Sequence, residues 1–215
     1  MYRMAPRSAY LVRWKETMVP LLVSVIGGYL LGSVPVAVPV ARAYGFDPRE
    51  VGDRNPGFWN VRQRLGWRAA VPVFAGDMLK GTFAGLLGLW AGGAHLTWPA
   101  GVSGGGAVPV YLAVAAAMAG HAWPVFAGFR GGRSVLTFAG GFAVICPPGF
   151  LLGVATLVAV AVVTRSFAIG ARVGVFGIPL FQLLFAPVVY VAGTGLLMCL
   201  IGLRFGQAAR SARPS

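Results

Sequence analysis

Charge is scarce in this chain, and negative charge is scarcer still: 11% of its 215 residues are charged, and only five of those are Asp or Glu. Soluble domains carry about 25% charged residues, so an ordinary soluble domain is excluded. Five carboxylates and two histidines leave little material for a carboxylate-dyad enzyme or a dedicated metal site, and no metal or cofactor is expected. The two cysteines, Cys146 and Cys199, lie inside apolar stretches without metal-ligand spacing, which excludes a disulfide framework. A Gly-x-Ser-x-Gly elbow, a Walker loop and a His-Glu-x-x-His pair are all missing.

What the chain has instead is apolar length. Hydrophobic residues make up 57% of it, yet the net charge is +13. That charge would point to nucleic acid if it covered one soluble face. Here the cations sit between apolar runs, where they act as topology signals, and nucleic acid is not an expected partner. The run 18–41 follows Arg3, Arg7, Arg13 and Lys15 and ends at a signal-peptidase-like Ala41-Arg42-Ala43. It is too long for a signal core and reads as a retained first span.

Further apolar segments run over 69–90, 106–127, 134–147, 149–164, 172–187 and 188–203. Pro147-Pro148-Gly149 reads as the turn of a tight helical hairpin, and Pro187 or Gly193-Thr194-Gly195 as a turn dividing the last stretch. The expected fold is an all-α membrane protein of about seven transmembrane helices in one bundle, with five or six as alternatives. It would span 18–204 between basic tails 1–17 and 205–215. Arginines fill the connections 41–68, 128–133 and 165–172 and the carboxyl tail, whereas 91–105, 147–149 and 187–195 contain no Lys or Arg. This alternation supports seven crossings and places the basic connections on the cytoplasmic side. The basic amino tail would then lie opposite the carboxyl tail, against the rule.

Three segments carry chemistry. The connection 41–68 combines Arg49, Gly52, Asn55, Gly57, Asn60, Arg62 and Arg64. Glycines let backbone amides approach an anion, Asn adds neutral donors, and Arg recognises phosphate bidentately. A polar loop with topology-setting arginines is the plainer alternative. The second segment is Gly120-His121-Ala122-Trp123-Pro124 followed by Arg130-Gly131-Gly132-Arg133-Ser134. A helix beginning near Ser134 would offer amides to an anion beside Arg133, although Gly131-Gly132 also fits a plain tight turn. Third, Asp77 and Lys80 stand one helical turn apart inside a span. Their charge must face the bundle interior, a polar cavity or the interface, as a functional or a structural pair. His95 is given no role.

The ordered set Gly32-Ser33-Val34-Pro35, Asp47-x-Arg49-x-x-Gly52-x-x-Asn55-x-Gly57-x-x-Asn60, Leu65-Gly66, Asp77 to Gly81 and Gly120-His121 to Thr137 resembles the bacterial acyl-phosphate-dependent glycerol-3-phosphate acyltransferases. Order and approximate spacing agree over residues 26–137. The resemblance implies a seven-helix inner-membrane enzyme with a cytoplasm-facing site. It would move a fatty acyl group from acyl phosphate to glycerol 3-phosphate, without metal, to give lysophosphatidic acid for phospholipid biosynthesis. It further implies Asn55, Asn60, Arg133 and His121 as catalytic residues. Arg49, Gly52, Gly57, Arg62, Arg64, Gly131 and Gly132 would bind substrate phosphates, and membrane lipid would surround the site.

The chain departs from the family pattern at several positions. Gly52-Asp53-Arg54-Asn55 stands for Gly-Ser-Gly-Asn, Phe58-Trp59 for Ala-Thr, and Gly131-Gly132-Arg133-Ser134 for Gly-Gly-Lys-Gly. Gln63 takes an arginine position, Ala168 and Ala171 take serine positions, and the carboxyl end lacks His-x-x-Asn. Two other readings accommodate these departures: a homologue that binds lipid phosphate without turnover, and a small transporter using Asp77, Lys80 and His121 as a polar path.

Overall fold

The computed structural model describes residues 7–211, and these form a helical membrane bundle. In hydrocarbon a backbone must satisfy its own hydrogen bonds, so apolar runs become helices. In chain order these are α1 (Arg7–Gly32), α2 (Ala37–Arg42), α3 (Phe58–Leu65), α4 (Trp67–Gly92), α5 (Ala107–Ala122), α6 (Val135–Ile145), α7 (Pro147–Thr164), α8 (Phe167–Phe176), α9 (Ile178–Gln182) and α10 (Val188–Ser211). Between α4 and α5 the connection makes one short antiparallel hairpin, β1 (Leu96–Thr97) with β2 (Gly101–Val102), so the all-α expectation needs that small amendment.

Among the described residues five helices are long and apolar enough to cross a membrane: Glu16–Arg42, Trp67–Gly92, Ala107–Ala127, Pro147–Thr164 and Val188–Arg210. Val135–Ile145 and Phe167–Phe176 are apolar but shorter. The protein is therefore a multi-pass membrane protein. Helices α1 and α10 run beyond 18–204, into the stretches read as basic tails.

Two expected turns fall differently. Pro147 and Pro148 open α7 instead of forming a loop, because a helix's first turn needs no partner for the missing proline N–H. Only Cys146 separates α6 from α7. Gly193-Thr194-Gly195 lies within α10, where a lipid-exposed break would leave amides unpaired; the division comes at Pro187, directly before Val188.

Helices α1, α4, α5 and α6 form the inner bundle. Small residues let their backbones touch: a Cβ on Gly28 or Gly32 of α1 would collide with the Ala113 or Ala117 carbonyl of α5, and one on Gly81 of α4 with the Thr137 carbonyl of α6. Thr82 adds a hydrogen bond to the Gly140 carbonyl at 3.1 Å. Around this seam Val110, Val114, Met118, Phe138, Phe142 and Ile145 make the buried core. Val163, Leu184, Val189 and Leu196 are exposed and face where lipid would lie.

The first span is interrupted between α1 and α2. Pro35 has no N–H and disfavours helical backbone at Val34, so the helix stops there. This break sits next to the polar residues of α4 and α5 and opens the floor of a cleft.

Candidate active site

The cleft begins at the buried pair on α4. Lys80 Nζ lies 2.9 Å from Asp77 Oδ1, and it donates to the Val34 carbonyl freed by the break at 3.2 Å. From α5, His121 Nδ1 approaches the same Asp77 oxygen at 3.4 Å, near the outer limit of hydrogen bonding. Next to it, Gly120 lets α5 pack against the Tyr29 carbonyl of α1, where a Cβ would collide. The spacing of three residues places Asp77 and Lys80 towards the interior, as the sequence indicates, and the packing of α5 on α4 brings His121 to the same carboxylate.

Residues 43–66 form the first wall. Arg49 Nε and Nη2 grip the two oxygens of Asp47 at 2.9 and 2.6 Å, and Arg42 adds a contact at 3.1 Å. The Arg49 hydrogen bonds hold the Asp47 carboxyl well below the usual carboxylate range and push Arg49 up. The third Arg49 nitrogen, Nη1, donates to the Ala127 carbonyl at 3.0 Å. Arg49 thus joins the first loop to the second, its fork already filled by Asp47.

Asn60 is fully buried on α3, and its Nδ2 donates to the carbonyls of Pro48 and Val51 at 2.9 Å each. It holds the loop from inside. Gly52, with φ of 66°, lets the chain pass against Asn60 Oδ1, where any Cβ would collide. One half-turn further round α3, Arg62 lies 4.4 Å over Trp67 and 5.0 Å over Trp59. Neither Arg62 nor Arg64 lines the cleft: Arg62, two residues from Asn60, is turned to the opposite side of α3, and Arg64, at the end of that helix, is exposed.

The second wall is the segment 123–134. Gly132 N–H donates to the His121 carbonyl at 3.0 Å, folding the loop back over α5. A side chain on Gly132 would collide with His121 Nε2 and stand 3.2 Å from Asn55 Oδ1, so both groups face this glycine. Ser134 begins α6 from a left-handed backbone (φ 63°), with its hydroxyl committed to the Met118 carbonyl at 2.7 Å and no side chain capping the helix. The first-turn amides of α6 are therefore left for an anion or water.

Sequence reasoning missed Arg204. Standing at the end of the expected span 18–204, it reaches from α10 to the Gly132 carbonyl at 3.1 Å and the Gly131 carbonyl at 2.9 Å. It also lies 5.2 Å over Trp123. A cation on the last helix facing a glycine loop 72 residues away leaves no local pattern to detect.

The loops 43–66 and 123–134 meet over one cleft, lined among others by Pro56, Asp77, Lys80, His121, Arg130 and Gly132. Asn55 and Arg133 adjoin it through Gly132. Gly57 stands beside the Asn55 side chain. The arrangement offers cations, glycine backbone and a helix N-terminus to an anionic ligand, beneath an apolar bundle.

The family model described as glycerol-3-phosphate acyltransferase matches residues 22–211. A glycerol-3-phosphate acyltransferase of Rubrobacter xylanophilus is 42% identical over 150 residues, 69% of each chain. One of Vibrio cholerae is 38% identical over 192 residues, 88% of this chain and 86% of the relative. Among solved structures, PlsY, an integral membrane glycerol 3-phosphate acyltransferase, is similar in its glycerol 3-phosphate form. The TM-score is 0.71 with 27% identity, covering 88% of this chain and 90% of that one. Its lysophosphatidic acid form gives a TM-score of 0.69 at 26% identity. With matching order of motifs, a shared bundle and two signature loops closing over one cleft, this chain belongs to the glycerol-3-phosphate acyltransferase family.

Proposed function

We propose that this chain transfers a fatty acyl group from acyl phosphate to glycerol 3-phosphate, making lysophosphatidic acid for phospholipid synthesis at the cytoplasmic face of a bacterial inner membrane. One observation carries the reading: the two separately encoded loops converge on a cationic, glycine-lined cleft opening beside an apolar bundle. Both substrates are anions and one has a long apolar tail, which is the chemistry such a cleft accommodates. In the relatives of known structure, glycerol 3-phosphate and lysophosphatidic acid are the bound molecules.

Acyl phosphate is a mixed anhydride and needs no protein nucleophile. The acceptor hydroxyl oxygen bonds to the acyl carbon as the acyl–oxygen bond to phosphate breaks. The electron pair leaves on phosphate, which also takes the hydroxyl proton. The protein's contribution is alignment and charge stabilisation. Arg133, Gly131 and the first turn of α6 would hold phosphate, with Asn55 and His121 orienting groups at Gly132. Gly52, Gly57, Asn60 and Arg49 would shape the loop that presents them.

Seven crossings suit the sidedness of the basic connections. Helix α6, about 16 Å long at 1.5 Å per residue, would then cross together with the cleft-lining segment 128–134. Helices α8 and α9 would complete another crossing. The test is purified protein given acyl phosphate and glycerol 3-phosphate, with a working homologue as control. Release of inorganic phosphate with formation of lysophosphatidic acid is expected; none above background overturns the proposal.

A further inference from the structure

Arg133 Nη1 lies 2.9 Å from Asp53 Oδ2, a pair joining residues 80 apart in sequence. Asp53 belongs to the first loop and Arg133 to the second, and each stands where the family pattern has a different residue. The two departures are therefore in contact. The second Asp53 oxygen accepts the Asn55 N–H at 3.2 Å, which fixes the carboxylate at the cleft beside Asn55. Arg133 is held on its other side by the Phe205 ring, 4.7 Å from the guanidinium, and its buried Nε has no hydrogen-bond partner.

Charge around this point is one-sided. Arg130, Lys80 and Arg204 stand on the same cleft or its loop, and Asp77 is occupied by Lys80. Asp53 is the carboxylate seated on Arg133. A phosphate that takes Arg133 end-on, through Nη1 and Nη2, needs the Nη1 that Asp53 now holds, and two anions on one guanidinium repel.

We infer that Asp53 is an internal competitor for substrate phosphate, so that the Asp53–Arg133 exchange sets the affinity of this site for its phosphorylated acceptor. This rests on the acyltransferase reading above for the identity of the acceptor. The pair is partly solvated, with side-chain exposures of 22% for Arg133 and 31% for Asp53, so it opens without the penalty of a deeply buried pair.

The test is a cycle of Asp53→Asn, Arg133→Gln and the double variant in full-length protein, each checked for monodispersity and melting temperature. Glycerol 3-phosphate binding is read by calorimetry and the acceptor KM by phosphate release. Asp53→Asn is expected to tighten binding and lower KM by about three- to tenfold, as loss of a partly solvated pair plus like-charge repulsion implies. The same change in the Arg133→Gln background is expected to do little. Asp53→Ser, which is smaller, should behave like Asp53→Asn. Unchanged or weaker binding in both Asp53 variants, or an equal gain without Arg133, overturns the inference. A wild type that binds glycerol 3-phosphate but never releases phosphate sinks the acyltransfer reading alone, because calorimetry still reads the exchange. Absence of binding in wild type and both Asp53 variants overturns both.

Discussion

Arg204 Nε donates to the carbonyl of Gly132 at 3.1 Å, tying the last transmembrane helix to the loop that closes the cleft. The neighbouring nitrogen takes the Gly131 carbonyl, so one planar fork fixes two consecutive peptide units. Arg204→Ala should free that loop. Hydrogen bonds from a charged donor are worth about 1.5–3 kcal/mol, and misplacement of a reacting group can reduce turnover by roughly a hundredfold. A lower melting temperature together with a fall in kcat/KM is expected. Arg204→Lys, a point charge reaching one carbonyl, should fall between the two, and turnover unaffected by Arg204→Ala would exclude the role.

The Asp77–Lys80 pair invites a different experiment. Both side chains are almost fully buried, and Lys80 has the Val34 carbonyl as its other acceptor. Asp77→Asn leaves an ammonium without its counter-charge, and breaking a buried pair costs about 3–5 kcal/mol. Removing both charges, as Asp77→Asn with Lys80→Met, should restore most of that stability. Activity should stay low in the double variant, because Lys80 lines the cleft. Melting temperature and phosphate release, measured on the same preparations, separate the two effects.

Much of this site was legible in sequence because its chemistry is local. The glycine and asparagine pattern over 49–60, the Gly131-Gly132 turn and the one-turn spacing of Asp77 and Lys80 each fall within a short window. Helix α6 begins where Ser134 and the preceding glycines indicate. What escaped was pairing across the fold. Nothing near Arg204 points to Gly132, and nothing near Asp53 points to Arg133, because both contacts depend on the final packing of distant elements. Arg62 shows how a shared segment need not mean a shared face: α3 turns it away from Asn60, and it stacks on Trp67. The turn expected at Gly193-Thr194-Gly195 failed because lipid imposes helix on a glycine that water would release.

Gly132 should be far less replaceable than Gly202. A Cβ there would strike His121 Nε2, on a side chain that is itself buried, and press on Asn55 Oδ1. Gly202, by contrast, lies in the middle of α10, and a Cβ at that position would meet nothing within 4 Å. Gly132→Ala should reduce kcat/KM by roughly a hundredfold through displaced groups. Gly202→Ala should keep activity and add about 0.5–1 kcal/mol of helix stability. Equal activity in the two variants would show that the Gly132 contact does not shape the site.

Acid should loosen the first loop through Asp47. The Arg49 fork, with Arg42 behind it, holds the folded carboxyl well below its ordinary value, whereas an unfolded Asp titrates near about 3.9. A pKa depressed by folding contributes stability that is fully present above the unfolded value and disappears as pH falls below it. Asp47→Asn lacks this contribution at every pH. The wild type should therefore melt above Asp47→Asn at pH 7, and the gap should close progressively below about pH 4. Arg49 also binds the Ala127 carbonyl, so the variant should separate the two loops and raise KM at neutral pH. Melting curves of both proteins in detergent between acid and neutral pH check the sign. A gap that stays constant, or widens in acid, would mean that the Arg49 fork does not stabilise the loop.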